Sequence, residues 1–361
     1  MTESGSKGQT MMAVLTTGSG GYDKLSYQAV AMPEPGPGEL LIKVLAAGVN
    51  NTDVNTRLGW YSAAVKGGTD ETDANSEGWD KGGWNGETPF PFIQGADCCG
   101  RVVRPGPGAT DALVGKRVLV RSCIRLNGFA DMASRWWGVD SNGAFAQYTV
   151  APESEVFAIE SDWSDAELAT IPCAYGTAEN MLHRAGVAAG MTVLVTGASG
   201  GVGSAALQLA KRRGAKVITV AGRDKRDFVL GLGADQALAR EDDPEAVLGP
   251  ESVDVVLDLV VGAGFAGLLE VLRRGGTYVT SGAIAGPVVE LDIRRVYLKD
   301  LRLMGSTTWE EPIFPDLIGY IERGEIRPLL DSTYPLDQIV EAQKAFQEKR
   351  HLGKIVLIPP A

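Results

Sequence analysis

The stretch Val193-Leu194-Val195-Thr196-Gly197-Ala198-Ser199-Gly200-Gly201-Val202-Gly203 has the pattern of a buried strand that passes through a glycine turn into a helix. Its apolar, mostly β-branched residues predict the strand. We expect Gly200 and Gly201 to let the backbone approach a pyrophosphate, and Gly203 to let the helix pack closely on the sheet. The N-terminus of that helix would face the phosphates with free N–H groups. The stretch therefore predicts a dinucleotide-binding turn, in which Ala198 replaces the first glycine of the usual motif.

The segments that follow this turn alternate between helices and strands. The sequence predicts helices over 205–213 and 226–233, and strands over 215–221, 253–260, 276–281 and 301–305. This order is typical of a Rossmann-type, doubly wound parallel α/β sheet.

The segments on either side of this region have a different pattern. Residues 40–45, 100–103, 117–120 and 145–150 are short apolar runs separated by Pro- and Gly-rich turns, which predicts a mostly β domain. Ser164 and Glu167 have the spacing of a capping box, which predicts a helix from there to residue 171. Helices over 315–322 and 336–349 and a strand over 353–358 complete the chain. We expect domains at 1–160, 161–305 and 306–361, with the third returning to the first.

The composition excludes several classes of protein. A net charge of −11 over 361 residues, with no basic block, argues against nucleic-acid and anionic-membrane partners. The polar N-terminus has no apolar leader, and no later segment has about 18 uninterrupted apolar residues, so we expect a cytoplasmic location. The four cysteines form no C-x-x-C pair, which argues against a disulfide framework and a four-cysteine zinc lobe.

Several motifs occur in an order that is known from one superfamily. They are PGPGELLIKV at 35–44, AGVNNTD at 47–53, GADCCG at 95–100, GAFAQY at 143–148 and GKIVL at 353–357. With the glycine turn, they make the chain resemble the medium-chain dehydrogenase/reductase superfamily over nearly its whole length. The GASGGVG form of the turn looks like the zinc-independent quinone oxidoreductase branch. The resemblance implies a GroES-like catalytic domain beside the Rossmann-type domain.

The resemblance also identifies the positions where zinc-dependent relatives hold their catalytic metal. These positions are Asn50, Ala96 and Cys173, with Asp97 in a supporting role. Alanine offers no ligand atom and asparagine is a poor ligand for zinc, so we expect a site without metal. His183 and His351 are the only histidines, and neither is placed to substitute. Cys173 would then be a small buried residue at the domain hinge.

The end of the second strand indicates the cofactor. NAD-specific folds of this kind place an acid about 20 residues beyond the glycine turn, and this chain has small residues followed by Arg223 and Lys225. These cations favour a 2′-phosphate, so we expect NADP(H). Alternatively, with Arg226, they are solvated charges at a helix start, partly cancelled by Asp224. Ser204 would add a phosphate contact or would only begin the helix.

The resemblance and the residue types together give a candidate site. We expect Asn50 to orient the substrate, Tyr61 to donate a proton or only to pack in its loop, and Asp53 to belong to the same catalytic group. The resemblance implies that Lys354 reaches the cofactor, although a lysine in a closing strand is commonly exposed. The remaining expected cofactor contacts are Thr177, Ala198, Ser199, Gly200, Gly201, Val202, Gly203, Ser204, Ser281, Gly282, Ala283, Thr307 and Thr308.

Two long segments, 60–91 and 121–142, exceed the loops that the resembled reductases have at these places. They carry Trp79, Trp84, Phe129, Trp136 and Trp137. Long loops in compact enzymes commonly act as lids or interfaces. We expect them to shape an aromatic-walled pocket for a bulky or aromatic small molecule; the alternative is a subunit contact or a solvated loop.

Together these features predict an NADPH-dependent oxidoreductase that transfers hydride to a quinone or an α,β-unsaturated carbonyl compound without catalytic zinc. Two alternatives remain open: a zinc-type alcohol dehydrogenase with an atypical ligand set, and a non-catalytic NADPH-binding protein. The resemblance also implies a homodimer or homotetramer, because the nucleotide-binding sheet of this superfamily often pairs across a twofold axis through the strand near residues 298–305.

Overall fold

A computed structural model describes residues 8–69 and 82–361 of the chain. The predicted loop residues 70–73 and Trp79 lie outside the described residues. The described part consists of a β-rich region and a parallel sheet flanked by helices, as predicted.

The β-rich region contains strands from both ends of the chain. Its strands are β1 Thr10–Thr16, β2 Leu25–Ala31, β3 Glu39–Gly48, β4 Gly82–Gly83, β5 Gly86–Glu87, β6 Phe92–Ile93, β7 Cys99–Pro105, β8 Arg117–Val120, β9 Cys123–Arg125, β10 Ser134–Trp136, β11 Tyr148–Pro152 and β12 Val156–Ala158. The parallel sheet follows with β13 Thr192–Thr196, β14 Lys216–Ala221, β15 Gln236–Ala239, β16 Val253–Asp258, β17 Leu272–Thr280 and β18 Arg302–Gly305. The chain closes with β19 Leu330–Pro335 and β20 Lys354–Ile358.

Helices connect and cover these strands. They are α1 Asn51–Leu58, α2 Asp165–Leu168, α3 Pro172–Arg184, α4 Gly201–Arg212, α5 Arg226–Gly231, α6 Pro244–Leu248, α7 Phe265–Val271, α8 Ile293–Leu298, α9 Ile313–Glu322 and α10 Ile339–Gln347. The predicted capping box opens α2: the Ser164 N–H donates to Glu167, and the Glu167 N–H donates to the Ser164 hydroxyl. Among the described helices, none has both the length and the apolar character to cross a lipid bilayer.

The parallel sheet has the strand order β15-β14-β13-β16-β17-β18. β13 lies near its centre, and Val193, Leu194 and Val195 are fully buried between the flanking helices. Because the order reverses on either side of β13, the carboxyl end of β13 lies at the crevice where doubly wound sheets bind their ligands.

The C-terminal strand joins the two regions. β20 pairs antiparallel with β3, opposing Val356 with Gly48. At its start, the Gly353 N–H donates to the Ser199 carbonyl in the glycine turn (3.1 Å). Lys354 therefore lies between the glycine turn and the start of α1.

Several predicted boundaries differ from the observed ones. β16 ends at Asp258 rather than at residue 260, because the Asp258 carboxylate accepts the N–H groups of Val260 and Val261 and turns the chain. The helix predicted to end at residue 171 is two helices: α2 ends at Leu168, and α3 begins at Pro172, whose missing N–H suits a first helical position. The strand predicted at 145–150 is β11 at 148–152. The helix predicted at 336–349 begins with a 3₁₀ turn, and its α-helical part ends at Gln347.

Candidate functional site

The glycine turn adopts the geometry of a dinucleotide-binding turn. After β13, Gly197 has a positive φ of 59°, and α4 begins four residues later. A Cβ added to Gly203 would lie 2.3 Å from the Gly197 carbonyl oxygen. Only glycine therefore allows α4 to pack this closely on the turn, as the sequence predicts. The first N–H groups of α4 are positioned for a bound anion.

Gly201 also leaves space for a side chain of the protein itself, while the expected pyrophosphate contact stays a prediction. A Cβ added to Gly201 would lie 2.8 Å from Cδ of Lys354. The missing side chain therefore makes room for the stem of this lysine, not simply for a pyrophosphate. Ser204 is 1% exposed, and its hydroxyl donates back to the Gly201 carbonyl within the helix (3.2 Å).

The Lys354 ammonium is buried among three acceptors. It donates to the Val49 carbonyl (2.9 Å), to Oδ1 of Asn50 (2.5 Å) and to Oδ2 of Asp97 (2.7 Å). Lys354 is 3% exposed and Asp97 is fully buried. An ammonium has three N–H donors, so all of them are used inside the protein. Lys354 is thus not the exposed strand lysine that the sequence left open as an alternative.

The Asp97 carboxylate accepts the other hydrogen bonds of this network. Its Oδ2 accepts the Asn50 side-chain amide (2.8 Å), and its Oδ1 accepts the backbone N–H of Cys173 (2.6 Å). The Asn50 amide also donates to the Gly48 carbonyl (3.4 Å), so its oxygen and both of its N–H groups have partners within the protein. The supporting role expected for Asp97 agrees with these contacts, whereas its pairing with Lys354 was not predicted.

These residues do not fit a catalytic zinc ion. At the three positions that the family resemblance assigns to a metal, the chain has Asn50, Ala96 and Cys173, and the Lys354 ammonium is hydrogen-bonded to the first of them. Burial raises the pKa of the Cys173 thiol. Within the described residues, no group of three or more His, Cys, Asp or Glu side chains is arranged to hold a metal ion.

Asp53 is a buried carboxyl group beside this network. Its Oδ2 accepts the backbone N–H of Asn50 at the start of α1 (2.7 Å), while its Oδ1 is buried without a hydrogen-bond partner. Burial raises the pKa of Asp53 to about 7, although the hydrogen bond from Asn50 and the charge of Lys354 act against this shift. Asp53 can therefore gain or lose a proton near neutral pH.

Tyr61 lies on the same side of α1. Its hydroxyl is 3.1 Å from Oγ1 of Thr52, to which it donates, and burial raises the pKa of the phenol to about 12. A phenol with this pKa stays protonated at neutral pH and can donate a hydrogen bond. The structure thus brings Asn50, Asp53 and Tyr61 to one end of α1.

The two long segments meet at this end of the cleft. The Trp84 indole stacks on the Tyr61 ring (centroids 5.3 Å apart, planes at 26°) and on Trp136 (4.8 Å, 20°). Trp136 meets Trp309 edge to face at 5.3 Å. The sequence indicates that Trp84 and Trp136 lie near the cleft, but their direct stacking was not predicted. We call Tyr61, Trp84, Trp136 and Trp309 the aromatic stack.

The predicted 2′-phosphate residues already have protein partners. Arg223 is 65% exposed at the side chain and lies 3.6 Å from Glu241 and 3.7 Å from Asp242. The Lys225 ammonium donates to the carbonyls of Lys349 and His351 in the C-terminal segment. Arg223 is therefore the more accessible of the two cations at the end of β14.

The residues expected at the nicotinamide end follow neighbouring strands of the parallel sheet. Ser281, Gly282 and Ala283 follow β17, and Thr307 and Thr308 follow β18. Thr177 lies on α3, which spans 172–184. A contact not foreseen from sequence joins this end to the first long segment, since the Thr69 N–H donates to the Ile284 carbonyl (3.0 Å).

Two family models match the chain. Residues 36–161 match the "Alcohol dehydrogenase GroES-like domain" and residues 201–323 match the "Zinc-binding dehydrogenase" domain. Among characterised relatives, the quinone oxidoreductase of Lama guanicoe is 29% identical, covering 97% of this chain and 98% of its own. The 2-methylene-furan-3-one reductase of Solanum lycopersicum is 29% identical (97% and 79%). The polyketide synthase GfsB of Streptomyces halstedii is 32% identical over 90% of this chain, which spans only 5% of that longer protein.

Solved structures show the same fold. A candidate alcohol dehydrogenase from Sinorhizobium meliloti 1021 is 44% identical, with a TM-score of 0.86 and 97% of each chain covered. The 2-octenoyl-CoA carboxylase reductase CinF, solved with NADP and 2-octenoyl-CoA, is 26% identical, with a TM-score of 0.81 over 97% of this chain and 88% of its own.

Proposed function

Because the chain belongs to the medium-chain dehydrogenase/reductase superfamily, we propose that it is an NADPH-dependent reductase that transfers hydride to a quinone or an α,β-unsaturated carbonyl compound without a catalytic metal ion. The observation that carries the proposal is the buried Lys354 ammonium, which is bonded to Asn50 and Asp97 at the place where related enzymes hold zinc. The similarity to a quinone oxidoreductase and to an NADP-bound enoyl-CoA enzyme supports the acceptor class and the cofactor.

The residues of the crevice fit the cofactor. The glycine turn presents the N-terminus of α4 to a pyrophosphate, and Arg223 offers an exposed cation for a 2′-phosphate. When bound, NADPH supplies the hydride. Conjugated acceptors suit a site without metal, because the negative charge that develops on them is spread over several atoms.

The chain's own residues would then supply the hydrogen bonds and the proton. Reduction of a quinone to its hydroquinone, or of an enone to its saturated ketone, consumes one hydride and one proton. In the structure the Tyr61 hydroxyl donates to Thr52; rotated away from that partner, the same neutral hydroxyl would donate to the oxygen on which negative charge develops. Asp53 lies nearby with a pKa of about 7 and can hold a proton at neutral pH.

The test is the initial rate of cofactor oxidation on chelator-treated protein, with NADPH compared with NADH across quinones, enals and enones. We expect NADPH-selective turnover that added zinc does not increase. Activity with alcohols that appears only when zinc is restored would refute the metal-free site. Tight NADPH binding without turnover on any acceptor would instead indicate a non-catalytic binding protein.

A further inference from the structure

Trp84 fills a space between two other aromatic side chains. Its indole stacks on Tyr61 and on Trp136 at interplanar angles of 26° and 20°. Among the described ring pairs, Tyr61 and Trp136 do not stack on each other. The two rings therefore form a slot whose width matches one planar ring, and a side chain of the same protein occupies that slot.

The slot lies beside the groups that the proposed reaction needs. Its Tyr61 side is hydrogen-bonded to Thr52 on α1, and burial of the Tyr61 phenol leaves its proton in place. Its Trp136 side contacts Trp309, which directly follows Thr307 and Thr308 at the end of β18. A ring in the slot would thus lie between the hydrogen-bond donor and the strand ends that face the expected cofactor.

The Trp136 indole provides an independent sign of a ligand. Trp136 is 2% exposed, and its Nε1 is buried without a hydrogen-bond acceptor. A buried donor without a partner is uncommon and unfavourable in folded proteins. Because this N–H points outward in the plane of the indole, a carbonyl oxygen of a bound ring would satisfy it where that ring extends past the edge of Trp136.

Trp84 itself is on an element that is suited to leaving the slot. It is half-buried and lies at the tip of the short hairpin formed by β4 and β5. The neighbouring Asn85 holds the hairpin through exposed hydrogen bonds, to the Ser134 carbonyl (3.1 Å) and to Asp140 (2.6 Å). Trp84 packs against the main core cluster from outside its fully buried residues, and the hydrogen bonds that hold its hairpin are exposed.

We propose that the Tyr61–Trp136 slot binds the planar ring of the substrate and that Trp84 fills it when no substrate is bound. The substrate class is then a cyclic conjugated carbonyl compound of naphthoquinone size, in preference to a linear enal. The reaction in this statement rests on the proposed function, whereas the binding of the ring does not.

The test measures binding in the absence of turnover. The probe is 2,3-dimethyl-1,4-naphthoquinone, titrated calorimetrically into protein saturated with NADP⁺ and into cofactor-free protein. Removal of the competing indole in Trp84→Ala should tighten binding by about tenfold, the order of magnitude of aromatic contacts. Trp84→Phe keeps a ring in the slot and should stay within about threefold of the parent protein. Unchanged or weaker binding in Trp84→Ala would overturn the proposal.

Two further measurements separate the parts of the proposal. Trp136→Phe keeps the ring and removes the N–H, so it should weaken binding of the naphthoquinone about fivefold and leave 2,3-dimethylnaphthalene unaffected. Equal weakening of binding for both probes would show that the indole N–H of Trp136 does not contact the bound naphthoquinone. An equal gain in affinity for trans-2-hexenal in Trp84→Ala would overturn the preference for a ring. Absence of NADPH oxidation with every acceptor would count against the proposed function alone, because the binding comparison still decides the slot.

Discussion

Replacement of Lys354 by methionine tests the network that distinguishes this site from a metal site. Methionine keeps the length of the side chain but removes the ammonium, so fully buried Asp97 retains its negative charge without its cation. Breaking a buried ion pair by removing one partner costs about 3–5 kcal/mol. With an unfolding entropy of about 2.1 cal/mol/K per residue, a loss of about 4 kcal/mol lowers the Tm of a chain of this length by about 5 °C.

Differential scanning calorimetry at pH 7 measures this shift. Lys116→Met is a matched control, because Lys116 is exposed, and it should change the Tm by less than about 1 °C. Asp97→Asn, added to Lys354→Met, removes the unpaired charge and should recover part of the lost stability. A shift below about 1 °C for Lys354→Met, or no recovery in the double variant, would refute the argument that Asp97 holds a buried ammonium.

Three other predictions concern the carboxyl group, the cofactor and the assembly. Burial raises the pKa of Asp53 to about 7, so the folded state keeps a proton that the unfolded chain releases near pH 4. Between pH 5 and pH 8 the free energy of unfolding of the parent protein should therefore fall by about 3 kcal/mol relative to that of Asp53→Asn. Urea unfolding at a series of pH values measures both free energies, and the same pH dependence for the two proteins would contradict this prediction. Arg223→Ala should raise the KM for NADPH by about 10- to 100-fold and leave the KM for NADH unchanged. Glu241→Gln removes a carboxylate that competes for Arg223, so it should lower the KM for NADPH. Equal effects on the KM values of both cofactors in initial-rate assays would exclude a 2′-phosphate contact. Leu303 is 41% exposed on the edge strand β18, and we propose that this edge pairs with the same edge of a second copy of the chain. Leu303→Lys should then yield monomers in analytical ultracentrifugation. An unchanged mass would place the interface elsewhere.

The sequence predicts the parallel sheet well because its signals are local. The apolar run 193–196 and Gly203 each depend on their immediate neighbours, and the structure confirms both. Boundaries were less accurate where a side chain from the same segment redirects the backbone. The end of β16 is an example, because the Asp258 carboxylate captures two N–H groups that a continued strand would have used.

The candidate site depends on contacts between segments that are distant in sequence. Lys354 and Asp97 are separated by 257 positions, and no local pattern indicates that they pair. The same applies to Trp84 and Trp136, which come from different long segments. The sequence does contain a partial signal. Asp97 follows Ala96, which replaces an expected metal ligand, and a buried carboxylate without a metal needs another cation.

The position of Lys354 also fixes the order in which this site could be converted to a metal site. Supplying the missing ligands alone, by Asn50→Cys and Ala96→His, would leave a fixed positive charge bonded to Asp97 and next to the incoming divalent ion, where like charges repel strongly. A redesign must therefore remove the lysine first. Once its stem is gone, the space beside Gly201 is free, and the glycine turn can accept a methyl group at that position.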